Sequence, residues 1–193
     1  MRLQHFSLAE LPAQPWKNGG GSTREIACWP PASGLDNFGW RVSIASIAAA
    51  GPFSVFESVD RCIMLLDGDG VRLRSADGSI DHLLAQPLQP FAFSGDAAVD
   101  CTLLGGPSSD FNVMARRDQW RAELRVLDAA SAVQAAPQGV LLAWRGNWRL
   151  GQGLALREGE GLYWTETPQA WQPAPETPEA LDARLLLVRF TKP

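Results

Sequence analysis

An arginine at the start of an apolar run is the residue whose chemistry is most constrained in this sequence. Arg61 directly precedes five apolar residues, Cys62 to Leu66, and in a strand it lies in line with Ile63 and Leu65. A guanidinium in such surroundings needs an anion. Asp60 points to the opposite face of the same strand, so the anion is either a remote carboxylate of the protein or the carboxylate of a ligand. The sequence leaves both open.

A glycine-rich loop is the second stretch that could bind a ligand. Lys17 and Asn18 are followed by three glycines beginning at Gly19. Consecutive glycines let backbone N–H groups turn toward one point and let a ligand approach closely. The order of residues is not that of a phosphate-binding loop. The stretch is equally well explained as a connector ahead of a strand starting near Arg24.

The third stretch places polar side chains along one strand. In an extended chain Asn112, Met114 and Arg116 share one face, while Phe111 lies on the other. Asn112 and Arg116 are therefore candidates for the wall of a cleft. Asp110 follows a Gly-Gly-Pro turn, and the expectation for it is a turn cap.

The histidines and cysteines of the sequence do not indicate a metal site or thiol catalysis. His5 and His82 are the only histidines, too far apart in sequence to share one element, so their number excludes a histidine-rich metal centre. Cys28, Cys62 and Cys101 have no CxxC spacing and apolar neighbours, which predicts small buried side chains. We expect no metal and no cofactor.

Length and composition bound the class of protein. The chain has 193 residues, 46% of them hydrophobic and 20% charged, which is typical of a globular protein. A net charge of −4 argues against a nucleic-acid partner. The longest apolar runs have five residues, so no membrane span is expected. The first twenty residues lack the pattern of a secretion signal, and we expect a cytoplasmic protein.

The elements that must position these residues are predicted to be strands. Eighteen glycines and fourteen prolines interrupt the chain at short intervals. Apolar and polar residues alternate with period two at 40–44 and 120–126, while 62–66 and 185–188 are apolar on both faces, as in central strands. The sequence therefore predicts an all-β fold.

An internal similarity suggests two related halves. The segments LDGDGV (66–71) and LREGEGL (156–162) each read as a strand end, an acidic-glycine turn and a new strand, and their glycines match at an offset of 91 residues. We expect a first half over residues 1–118, which includes the glycine-rich loop, and a smaller second half over residues 119–193.

Four motifs together resemble the HutD/Ves family of bacterial proteins. They are PWKNGGGSTREI (15–26), WRVSIASI (40–47), GPFSVFESVDR (51–61) and LLGGPSSDFNVMARR (103–117). The resemblance implies a cupin-like (jelly-roll) β barrel, elaborated to two barrels, and a role in histidine utilisation with N-formyl-L-glutamate as the proposed ligand. It depends on the first 120 residues and departs from the family at Glu57-Ser58, where relatives often have Pro-Gly.

Matching the motifs residue by residue transfers a candidate binding set to this chain. The resemblance implies ligand-binding roles for Asn18, Gly19, Ser43, Arg61, Phe111, Asn112 and Arg116.

The leading hypothesis is a non-catalytic, metal-free binding protein for a small acidic metabolite. Arg61 would hold a carboxylate in two hydrogen bonds, and Asn112 and Asn18 would bind the amide-like part. A sheet with two apolar faces is compatible with a homodimer.

Two alternatives come from other classes. One is a metal-independent isomerase or amide hydrolase using Asp110, Asp60 or His82 as general base. The other is an interaction module that binds a partner through an exposed strand edge.

Overall fold

The fold consists of strands and their connections. The computed structural model describes residues 2–151, 153–177 and 181–193, and within these ranges the chain forms twenty strands and no helix. Accordingly, none of this part of the chain forms a helix with the length and apolar character needed to cross a membrane. The first eleven strands are β1 (Arg2–Ser7), β2 (Ala13–Pro15), β3 (Gly21–Trp29), β4 (Trp40–Ile47), β5 (Gly51–Pro52), β6 (Val59–Gly68), β7 (Val71–Ser75), β8 (Asp81–Leu84), β9 (Pro90–Ser94), β10 (Val99–Leu103) and β11 (Ser108–Arg116). The remaining nine are β12 (Arg121–Leu127), β13 (Val133–Ala136), β14 (Gln138–Arg145), β15 (Trp148–Gly151), β16 (Leu154–Leu156), β17 (Glu160–Thr165), β18 (Gln169–Trp171), β19 (Ala174–Pro175) and β20 (Arg184–Thr191). The all-β prediction is confirmed.

The chain divides into two compact units whose boundary differs from the expected one at the N-terminus. Pro12–Trp120 forms one unit, and Met1–Leu11 joins Arg121–Lys192 in the other. Strand β1 pairs antiparallel with β17, where Gly161 lies opposite Phe6 and leaves room for its ring. Partners more than 150 residues apart leave no local signal in the sequence, so residues 1–11 were expected in the first half.

The unit of residues 12–120 contains two antiparallel sheets. One has six strands in the order β2-β3-β4-β11-β6-β9, and the other has four in the order β5-β10-β7-β8. One apolar cluster draws on both sheets, so their inner faces pack together. Its buried members are Ile47, Ile63, Leu65, Val71, Leu73, Leu84, Val99 and Cys101.

Strand β6 shows how the sequence pattern produces this packing. It pairs with β11 on one side and β9 on the other. The pleat directs Ile63 and Leu65 to the inner face and Met64 to the outer one, and all three are buried. The run 62–66 was predicted to be apolar on both faces, and this is confirmed.

The other unit is built on a five-stranded sheet in the order β1-β17-β14-β20-β12. The strands predicted from 120–126 and 185–188 are β12 and β20, which pair with each other. Smaller sheets, β16-β15-β19 and β13-β18, complete this unit. Trp148, Trp164 and Trp171 fill a core cluster with leucines from β14, β17 and β20.

The two acidic-glycine turns have corresponding places in the two units. Gly68 and Gly70 have positive φ angles of 96° and 89°, which glycine adopts without strain, and Gly159 has a φ of 80°. The first turn takes the chain from the six-stranded sheet to the four-stranded sheet, between β6 and β7. The second takes it from β16 to the five-stranded sheet at β17. Each turn therefore connects two different sheets of its unit.

Candidate ligand site

Polar side chains form three rows on the inner face of the six-stranded sheet. Directly paired residues of antiparallel strands share a face, and so do residues two apart on one strand. The rows across β4, β11 and β6 are Arg41-Met114-Arg61, Ser43-Asn112-Ile63 and Ala45-Asp110-Leu65. Arg61, Asn112 and Asp110 therefore face the same interior.

Arg61 is buried against aromatic rings. Its side chain is 6% exposed, and the guanidinium carbon lies 5.2, 5.7 and 4.9 Å from the ring centres of Phe53, Phe56 and Phe93. Rings at these distances attract the cation. Nη1 donates a 3.4 Å hydrogen bond to the Ser54 carbonyl, and the buried Nε has no acceptor.

The guanidinium of Arg61 has no carboxylate partner in the described ranges of the chain, where no ion pair within 4.0 Å reaches it. Burial lowers its pKa to about 10, and Arg41 adds to this effect, while the attraction of Asp110 opposes it. Arg61 is thus a buried cation at neutral pH. Asp60 pairs instead with Arg117 at 2.8 Å, as expected for a residue on the opposite face.

Asp110 has the most perturbed carboxyl of this face. It is 2% exposed, and neither carboxylate oxygen has a hydrogen-bond donor. Burial raises its pKa to about 7, with Arg61 acting in the opposite direction. The expected turn cap is wrong. Strand β11 already starts at Ser108, and a register shift against β6 between Ser109 and Asp110 leaves the carboxyl inside the sheet.

The polar rows continue from this buried centre to an exposed rim. Asn112 keeps a buried Oδ1 without a donor, and Ser43 is 2% exposed. The Arg41 Nη1 donates to Ser43 Oγ at 3.4 Å, while its Nε donates to Glu25 at 2.7 Å. The Glu25 side chain is 42% exposed, so the edge of the site formed by β3 faces solvent.

Four of the seven expected binding residues do not join Arg61, and three of these four lie away from the polar rows. Phe111 is fully buried on the opposite face of β11 from Asn112. Asn18 and Gly19 are exposed in the loop between β2 and β3, beyond the Gly21↔Ile47 pair. The Asn18 Oδ1 accepts the Gly20 N–H at 3.0 Å, so this amide closes its own turn. Gly19 has a φ of 70°, which explains the glycine without a ligand.

Arg116 lies on the same face of β11 as Asn112 but is separated from Arg61. Its guanidinium donates to the carbonyls of Phe38 and Asp36, each at 3.2 Å. The apolar cluster of Phe38, Val59 and Met114 occupies this end of the unit. The structure therefore brings together Arg61, Asn112 and Ser43 from the expected set, and adds Asp110 to them.

A cavity of about 340 Å³ opens beside Arg116. It is lined by Ser58, Arg116, Arg117 and Asp118. The Arg117 guanidinium pairs with Asp60 and Asp96, and that of Arg116 is bound to carbonyls. Each of these two guanidinium groups has at least two acceptors, whereas that of Arg61 has, among the residues that the structure describes, the Ser54 carbonyl alone.

The other candidate titrating groups do not join the site. His82 stacks on Phe91 with ring centres 3.7 Å apart, and partial burial lowers its pKa. Burial raises the pKa of each of Cys28, Cys62 and Cys101 to about 11, so these thiols stay protonated at neutral pH. Cys28 and Cys62 are only partly buried.

The donor set does not fit a metal ion. Within the described residues, no three His, Cys, Asp or Glu side chains come together in a group that could hold one. On the inner face the buried carboxyl of Asp110 is accompanied by the cation Arg61, which opposes a second positive charge.

The facing antiparallel sheets, with polar groups on an inner face, define a cupin-like protein. Two solved structures share this fold at low identity: bacterial pirin YhhW from Escherichia coli in complex with nickel(II), with a TM-score of 0.64 and 12% identity, and an oxalate decarboxylase variant from Bacillus subtilis, with 0.59 and 9%. These matches cover 100% and 97% of this chain, and 100% and 76% of the other chains. They show the fold alone.

The chain belongs to the HutD family, whose model matches residues 8–181. The resemblance of its motifs to this family is confirmed. Protein Ves of Citrobacter koseri is 42% identical over 163 residues, covering 84% of this chain and 83% of the relative. Protein Ves of Cronobacter sakazakii is 41% identical over 165 residues, covering 85% and 88%.

Two solved structures match this chain over its full length and theirs. HutD from Pseudomonas fluorescens SBW25 has a TM-score of 0.85 and 31% identity. A conserved protein of unknown function from Pseudomonas aeruginosa PAO1 has a TM-score of 0.87 and 34% identity.

Proposed function

We propose that this protein is a non-catalytic, metal-free binding protein for a small carboxylic acid, held by Arg61 on the inner face of the six-stranded sheet. The observation that carries the proposal is the burial of a guanidinium without a carboxylate partner in the described part of the chain. Burying an unpaired charge is costly, and an acid from outside would supply the missing partner.

The surroundings of Arg61 favour a strong ion pair. The three phenylalanine rings exclude water from the guanidinium, which strengthens its attraction for an anion. Asn112, two positions along β11 from the residue paired with Arg61, would contact an amide-like part of the same ligand.

Family membership suggests where this acid comes from. Membership of the HutD family implies an association with histidine utilisation, so we propose N-formyl-L-glutamate or a similar intermediate as the ligand, bound to modulate that process. We also propose that the two units are related cupin-like halves, because an acidic-glycine turn carries the chain between sheets in each.

Calorimetry with N-formyl-L-glutamate tests this proposal. Hydrogen bonds to charged groups contribute about 1.5–3 kcal/mol each, so Arg61→Ala should weaken binding by about tenfold to a hundredfold or more. Arg117→Ala is the matched control, since it removes an arginine that already has carboxylate partners. Equal affinity of the Arg61→Ala variant and the unmodified protein would remove Arg61 from the site.

One observation favours a second candidate, a metal-independent isomerase or amide hydrolase. Asp110 has a pKa of about 7, which suits a general base near neutral pH, and it shares the inner face with Arg61. Incubation with N-formyl-L-glutamate followed by NMR separates the two functions. Product formation that is abolished in Asp110→Asn would establish the enzyme and overturn the binding-only proposal.

A further inference from the structure

The unpaired polar atoms of the inner face include more hydrogen-bond acceptors than donors. Arg61 Nε is a donor without an acceptor, whereas Asp110 Oδ1, Asp110 Oδ2 and Asn112 Oδ1 are acceptors without donors. All four atoms are buried. A ligand carboxylate on Arg61 satisfies the donor and offers nothing to the three acceptors. The ligand carboxylate therefore accounts for only one of the four atoms.

The placement of the acceptors shows which part of a ligand would meet them. Asp110 and Asn112 are two residues apart on β11 and face the same side, about 7 Å apart along the strand. The row of Asn112 lies between the row of Arg61 and the row of Asp110. A ligand anchored on Arg61 and extended along β11 passes Asn112 before it reaches Asp110.

The carboxyl of Asp110 disfavours a second anion at this end of the inner face. Above its pKa of about 7 Asp110 is a carboxylate, and no donor from the described part of the protein reaches it. A ligand oxygen without hydrogen would add a further acceptor to three that are already unpaired, which is unfavourable in a buried site. A ligand N–H would satisfy one of them.

We infer that the ligand is a carboxylic acid that also carries an N–H donor, an inference that rests on the proposed function. Asp110 is then the specificity-determining residue that accepts this N–H. Arg61 recognises the acid, and Asp110 distinguishes an acylated amine from the corresponding ester. Sites built around buried polar groups reject analogues that leave those groups unpaired, and this discrimination exceeds that of apolar pockets.

Two probes that differ only at this position test the inference. N-acetyl-L-glutamate carries the N–H, and the acetyl ester of (S)-2-hydroxyglutarate has an oxygen in its place. Both probes keep the same carboxylates, so the contribution of Arg61 is common to them. Their dissociation constants are measured by calorimetry at pH 8, where Asp110 is ionised and can only accept, on the unmodified protein and on Asp110→Asn.

We expect the unmodified protein to bind the amide at least about tenfold more tightly than the ester. In Asp110→Asn this preference should fall to within about threefold, because an Asn side chain can accept from the amide and donate to the ester. The comparison of the two probes on the unmodified protein does not depend on the variant.

Each other outcome overturns a distinct statement. Equal binding of amide and ester by the unmodified protein would show that water satisfies Asp110, and would end the N–H requirement while leaving the acid site intact. An amide preference that survives in Asp110→Asn would remove Asp110 as its acceptor. Binding of neither probe would overturn the proposed function and this inference with it.

Discussion

Replacing Asp110 with asparagine should remove a loss of stability that the unliganded protein undergoes as pH rises from 5 to 8. The folded state raises the pKa of this carboxyl from 3.8 to about 7 by burial. Between these values the folded protein holds a proton that the unfolded chain has released, so the free energy of unfolding falls as pH rises and levels off above about 7. An asparagine has no proton to lose and no such dependence.

The magnitude follows from the width of this window. Each pH unit inside it contributes about 1.4 kcal/mol, so the two units from pH 5 to the folded pKa of about 7 amount to about 3 kcal/mol. Arg61 and Cys101, which interact electrostatically with Asp110, have pKa values of about 10 and 11 and keep their protons throughout. Groups that titrate elsewhere contribute equally to both proteins and cancel in the comparison.

Urea unfolding followed by tryptophan fluorescence at pH 5 and pH 8 provides the measurement. Relative to the unmodified protein, the free energy of unfolding of Asp110→Asn should increase by about 3 kcal/mol on going from pH 5 to pH 8. Any fixed cost of burying the asparagine amide is the same at both pH values. Asp100→Asn is the matched control, since it makes the same chemical change at an exposed position on β10.

Parallel pH dependence of the variant and the unmodified protein would refute the reasoning. It would mean that Asp110 is ionised in the folded protein over the whole range, and therefore that hydrogen bonds or water stabilise its charge. A stabilisation that also occurs in Asp100→Asn would point to overall charge instead of burial.

Three further results are expected. Phe93→Leu should weaken binding of N-formyl-L-glutamate several-fold in calorimetry, because it removes the ring closest to the Arg61 guanidinium, an interaction of about 0.5–2 kcal/mol. Unchanged affinity would show that this ring does not support Arg61. Gly161→Ala should lower the free energy of unfolding by about 1–3 kcal/mol, because the new Cβ would meet the Leu141 carbonyl oxygen at 2.5 Å and an aromatic ring of β1. The control Gly34→Ala should have little effect, since the nearest atom to its new Cβ lies 3.8 Å away. Cys101 should react with a thiol reagent at pH 8 only as fast as the protein unfolds, since its pKa is about 11 and it is buried; rapid labelling in the folded state would contradict this.

The candidate site could be predicted in part, because strand alternation is a local property. The spacing of polar and apolar residues placed Arg61 on the side of Ile63 and Asn112 on the side of Met114, and the register agrees. The same alternation includes Asp110, but the turn motif before it predicts a cap. Whether a residue after Gly-Gly-Pro caps the turn or enters the sheet depends on its pairing partners.

The remaining expected residues show the limit of transferring motif positions. Asn18 and Gly19 belong to a motif that resembles the family, yet their geometry is that of a closed turn. Phe111 stands next to Asn112 in sequence and on the other side of the sheet. A motif marks a segment of the chain, and only the pleat and the register decide which of its side chains face a ligand.

The strands, the buried arginine and the HutD family were therefore determined by the amino-acid sequence, since period-two alternation and long motifs are read from neighbouring residues. The tertiary structure alone decided that β1 joins the C-terminal unit, that Arg61 has no carboxylate partner in the described residues, and that Asp110 lies unpaired on the same face. The pairing of strands that are distant in sequence depends on how whole sheets fit together. The pKa of a buried carboxyl depends on how much solvent those sheets exclude. Neither property is encoded in any short segment.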